Sequence, residues 1–145
     1  MQPEAKARLI RTIPVHIVRT LLGALFVFAG VAYFVGLGEG GEEGEGQIEL
    51  IAAFASSGYL MALIKVTELI GGLLLVVNRF VPLGLLLLAP ITLNIALFHF
   101  VLTPGHDIGI SIFVVAANVF LAWAYRSAWR GVLSARTPIG NASAE

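Results

Sequence analysis

Residues 58–102 read GYLMALIKVTELIGGLLLVVNRFVPLGLLLLAPITLNIALFHFVL. Two apolar runs, 58–77 and 81–102, are separated by little more than Asn78 and Arg79. Each has about the 20 residues that cross the hydrocarbon core of a bilayer as an α-helix. Neither alternates with period two, so neither reads as a strand of a membrane β-barrel. The short basic connection predicts two antiparallel spans.

Working outward, the same pattern recurs on both sides. An apolar stretch over 15–37 follows a polar, basic lead-in with Lys6, Arg8 and Arg11. It is too long for the core of a signal peptide and is expected to stay as an uncleaved helix. Glycine and glutamate then fill almost all of 36–46, a segment expected to form a solvated outer loop. Residues 47–57 are apolar with a few polar positions, and fit either an interfacial helix or an outer extension of the second span. A turn at Thr103–Asp107 leads to a fourth run over 108–124. Trp123, Tyr125, Arg126, Trp129 and Arg130 border that run as at a headgroup interface, and a short polar tail follows.

Composition agrees. The 145 residues are 58% hydrophobic and 12% charged, with a mean hydropathy of +0.91. Soluble domains carry about 25% charged residues. Four buried soluble helices would leave this chain no polar face. The expected fold is an all-α integral membrane four-helix bundle, a single transmembrane domain over 1–145. A net charge of zero argues against nucleic acid as a partner. With no cysteine, disulfides and Cys-ligated zinc or iron–sulfur centres are excluded, and no metal site is expected.

The basic residues give an orientation. Lys6, Arg8, Arg11, Arg19, Arg79, Arg126, Arg130 and Arg136 fall on one side of a four-span chain. Glu39, Glu42, Glu43, Glu45, Glu49 and Asp107 fall on the other. The positive-inside rule then places both termini in the cytoplasm of a multi-pass protein of the inner (cytoplasmic) membrane. Arg19, in the first turns of its span, is expected to snorkel to the near interface.

Lys65 is left within the second span, three residues from Glu68 and on the same helix face. Polar groups at membrane depth are functional candidates by default. Counting about 1.5 Å per residue from the ends of the spans puts Lys65, Glu68 and Asn94 at a similar depth. They are expected to meet between the second and third spans, with His99 nearer the outer face. Lys65 and Glu68 fit either a purely structural ion pair or a proton-linked or ligand-binding pair. Asn94 fits a helix–helix hydrogen bond or a ligand contact. His106-Asp107 reads as a surface turn. Pro90 is expected to disturb the third span, and Gly23 with Gly30, like Gly71 with Gly72, to permit close helix packing.

Three stretches together resemble one family. They are Arg19-Thr-Leu-Leu-Gly23 through Gly30, Lys65-Val-Thr-Glu68-Leu-Ile-Gly71, and Pro90-Ile-Thr-Leu-Asn94 through His99. In order and spacing they are similar to the DoxX-like small four-helix membrane proteins, over roughly residues 15–130. The glycine–glutamate loop is a departure, and Tyr33 stands where a basic residue often follows the helix-one glycines. The resemblance implies a link to quinone-dependent sulfur oxidation, to oxidative-stress assemblies or to membrane-protein assembly. Glu68, Asn94 and His99, with Lys65 as partner, are the residues it carries over. Redox chemistry in a chain without cysteine would use a bound quinone or a partner's cofactor. Three readings follow: a non-catalytic accessory or assembly subunit of a larger membrane complex, a quinone-binding redox subunit, and a small transporter or lipid-binding protein.

Overall fold

The computed structural model describes residues 3–37, 45–102 and 108–132, with side chains from Thr12 to Leu37, Glu49 to Leu102 and Ile108 to Arg130. Most of the glycine–glutamate loop, the His106-Asp107 turn and the tail beyond 132 lie outside the described residues. The helices are α1 (Pro3–Phe34), α2 (Glu45–Ser56), α3 (Leu60–Val76), α4 (Val81–Leu97), α5 (Ile108–Ala124) and α6 (Trp129–Val132). A π-helical turn, Phe98–Leu102, prolongs α4. No strand occurs among the described residues.

α1, α3, α4 and α5 form an integral membrane four-helix bundle. Thr12–Phe34 and Val81–Leu102 are long and apolar enough to cross a membrane, and α5 is a shorter apolar helix. The apolar surface of the bundle faces outward, as lipid contact requires. Phe28 is 72% exposed, Leu93 60% and Val119 63%.

Two elements go further than the reading of the sequence. The basic lead-in is helical, because α1 begins at Pro3 and runs through Pro14. Pro3 suits a helix start, where its missing N–H has no partner to lose, whereas Pro14 lies inside the helix and leaves the carbonyl four residues earlier without its usual N–H. The segment before the second span is a separate helix. α2 meets α3 at a 96° bend, which puts it across the bundle axis rather than along it. The corner is built by Gly58 with φ +74°. Ser57 braces it, its Oγ accepting from the Leu60 N–H at 3.0 Å and donating to the Phe54 carbonyl at 2.6 Å. Of the two alternatives for 47–57, the interfacial helix fits this geometry.

α3 ends in a Schellman motif with Asn78 in the left-handed conformation (φ 60°). The Asn78 N–H bonds the Leu75 carbonyl and the Arg79 N–H that of Leu74, at 3.2 and 3.1 Å. Asparagine tolerates this conformation better than most residues. Phe80, also left-handed at φ 54°, then starts α4, with Pro82 in its first turn. Two unusual backbone residues thus reverse the chain in a few positions.

α1 and α3 run antiparallel in backbone contact. A Cβ on Gly23 would lie 2.8 Å from the Gly72 carbonyl oxygen, and one on Gly72 would lie 2.8 Å from that of Gly23. The expected close packing is therefore present, and a side chain at either position would part the helices. Leu22 and Phe26 of α1, Leu75 of α3, Val81, Leu85 and Leu88 of α4, and Val114, Ala117 and Leu121 of α5 form the core.

Candidate functional site

The interior of the bundle is mostly apolar, and three of its buried polar side chains lie close to one level. A Cβ on Gly71 would meet Leu88, so these two residues mark one level on α3 and α4. Glu68 lies one turn from Gly71, about 4.5 Å along its helix, and Thr92 four residues from Leu88, about 6 Å along its own in the same direction. Glu68 and Thr92 are therefore nearly level, and both are buried. Asn118 of α5 joins them, its Nδ2 donating to Thr92 Oγ1 at 3.3 Å.

Lys65 reaches forward one turn along α3, and its Nζ lies 2.9 Å from Glu68 Oε2. The Glu68 side chain is only 6% exposed, while that of Lys65 is 22% exposed. The carboxylate is thus the deeply buried partner, and the ammonium stays near the edge of the bundle. A buried carboxylate without a partner would be costly, and the i,i+3 spacing supplies the partner from within one helix.

Asn94 does not join them. It is two residues from Thr92, about 200° around the helix, so the two cannot face the same way. Thr92 takes the inward position, following Leu85 and Leu88 on the buried stripe, and Asn94 is exposed. Its Nδ2 donates to the Pro90 carbonyl at 3.0 Å, within its own helix. The expected meeting of Lys65, Glu68 and Asn94 is therefore corrected: two of the three meet.

His99 stands in the π-helical turn, half-buried, with its ring edge-on to Phe98 at 5.3 Å. It is seven residues beyond Thr92, nearly two turns or about 10 Å from the polar layer. Such turns in α-helices often mark functional sites, and this one packs against α2 and α5. The four candidates consequently do not surround a common volume, and a quinone could not be hydrogen-bonded by all four together. Among the described residues no three His, Asp or Glu side chains gather to hold a metal ion.

Two further polar positions emerge. Ser111, fully buried on α5, has no hydrogen-bond partner for its Oγ among the described residues. Arg19 is 6% exposed and turned into the bundle, not snorkelling out of it. The signal for Arg19 was its place three residues before Leu22 and seven before Phe26, on the stripe that proves to be buried. A helix apolar all round hides which stripe that is.

Among known proteins, the family model DoxX matches residues 15–101. No curated protein and no solved structure matches the chain.

Proposed function

The chain belongs to the DoxX family of small integral membrane proteins, and from that membership we propose that it is a non-catalytic accessory or assembly subunit of a larger complex. In this reading it crosses the inner (cytoplasmic) membrane four times, with both termini in the cytoplasm. The observation that carries the proposal is Asn94, an amide exposed on the outer face of an apolar helix. It lies about 20 Å along α4 from Val81, well within the hydrocarbon. A polar side chain facing lipid at that depth is costly, and a hydrogen bond to another membrane helix is its usual relief. The Lys65–Glu68 pair supports the same reading. Its charges answer each other at 2.9 Å, so the bundle needs no ligand to hold them.

A quinone-binding redox subunit is the second reading. The unpartnered Ser111 hydroxyl favours it, since Ser111 shares the buried face of α5 with Asn118.

Purification from native membranes in mild detergent, with the lipids extracted, separates the two. The expected result is a complex with a second membrane protein, lost in Asn94→Leu, and quinone well below one per chain. Stoichiometric quinone that disappears in Glu68→Gln, with the chain running alone, would overturn the proposal.

A further inference from the structure

Arg19 carries a charge that nothing described so far answers. Its Nε and Nη1 are buried and make no hydrogen bond among the described residues. An unpaired buried ion costs several kcal/mol. Arginine also remains a cation in proteins, so it cannot escape that cost by losing a proton.

The surroundings sharpen the problem. Gly23 packs against Gly72, Leu75 and Val76. Arg19 lies one turn earlier, about 6 Å further along α1, which brings it level with the end of α3. At this end of the bundle Arg79, Arg126 and Arg130 are all exposed. The Arg126 guanidinium is 4.8 Å from the centre of the Trp123 ring and is 3.3 Å from the Trp123 carbonyl. α4 also begins here, with no side-chain cap and with Pro82 in its first turn. Its first-turn N–H groups add the positive end of a helix dipole. The carboxylates among the described side chains, Glu49 and Glu68, belong to α2 and to the polar layer. Four guanidiniums and a helix N-terminus thus lie at one end of the bundle, with no described acid there to answer them.

The guanidinium fork matches the oxygens of a phosphate or carboxylate, and arginine is favoured wherever such groups are bound away from water. Its height decides the source. Trp123, Tyr125 and Trp129 mark this end as the headgroup level, where phospholipid phosphates lie. The shallow open groove lined by His16, Ile17, Thr20 and Leu21 is on the exposed face of α1 and does not include Arg19, whose side chain faces the bundle. We propose that Arg19 is the phosphate-recognition residue of a resident anionic phospholipid.

The test uses the full-length chain in nanodiscs, with arginine side chains labelled with nitrogen-15. The Arg19 Nε signal is assigned by its absence in Arg19→Lys. In phosphatidylglycerol nanodiscs that signal is expected to shift from its position in phosphatidylcholine nanodiscs. Native mass spectrometry should retain one phosphatidylglycerol on the wild-type chain. Arg19→Lys should reduce that retention about tenfold, and Arg79→Ala no more than about twofold, the difference between a bidentate fork and a screened surface charge. An unchanged Arg19 signal in phosphatidylglycerol overturns the proposal, as does full retention by Arg19→Lys. Inorganic phosphate that reproduces the shift in phosphatidylcholine nanodiscs shows a free-anion site and overturns the lipid assignment. Native mass spectrometry of the wild-type chain needs no variant to fold, and a wild-type chain that retains no phosphatidylglycerol also overturns the proposal.

Discussion

Replacing Gly72 by alanine tests the packing of the bundle at its tightest point. The added Cβ would stand 2.8 Å from the Gly23 carbonyl oxygen, 3.0 Å from the Val27 nitrogen and 3.1 Å from the Phe26 Cβ. Two of these are backbone atoms of α1 and cannot rotate aside. An ordinary contact begins near 3.4 Å, so α1 must retreat by about 0.6 Å. That retreat loosens Leu22 and Phe26, which are 0% and 1% exposed. Overpacking of this kind costs about 1–3 kcal/mol. Alanine is the better helix former by about 1 kcal/mol, which offsets part of it. A net loss of up to about 2 kcal/mol is expected, read as a lower midpoint in sodium dodecyl sulfate titrations followed by circular dichroism. Gly109→Ala is the control. Nothing lies within 4 Å of its added Cβ and its φ is not positive, so it should be neutral or stabilising by up to about 0.5 kcal/mol. A Gly72→Ala protein as stable as Gly109→Ala would refute the backbone-contact argument.

Two other perturbations follow from the same geometry. Lys65→Met strands a carboxylate that is 6% exposed, and should cost about 3 kcal/mol in the same titration. Glu68→Leu should cost less, because the flexible, 22% exposed lysine can turn to the bundle edge, and the double variant should return near wild type. Equal costs for the two single variants would contradict the unequal burial. Trp129→Phe removes the 2.8 Å hydrogen bond from Trp129 Nε1 to the Ala122 carbonyl that ties α6 to α5. It should cost about 1 kcal/mol and raise hydrogen exchange in 125–130 while leaving α1 and α3 unchanged.

The apolar runs and the break at Asn78-Arg79 carried the architecture in the sequence, because hydrocarbon burial leaves no other use for such runs. The glycine contacts were legible too, since small residues seven apart on one helix stripe have few other reasons to exist. The register of each helix was not. In a helix surrounded by lipid, both the inward and the outward face are apolar, so no periodicity separates Thr92 from Asn94. Pairwise spacing survived that loss: Lys65 and Glu68 met because they share a helix. Asn94 failed to meet them because its depth was readable and its direction was not. The turn of α2 away from α3 depends on the backbone of Gly58, which composition alone does not reveal. An arginine near the end of a span ordinarily snorkels outward, whereas the stripe that Arg19 shares with Leu22 and Phe26 takes it inward.

The claim that this chain serves as a docked subunit is tested most directly by photocrosslinking in native membranes. A photoreactive residue at Leu93 or Leu97, both exposed beside Asn94 on α4, should capture one discrete membrane protein, and the product should vanish when Asn94→Leu is added. Position Val119, exposed on α5, should give no such product. Crosslinks to lipid alone from Leu93 and Leu97, unchanged by Asn94→Leu, would contradict the account.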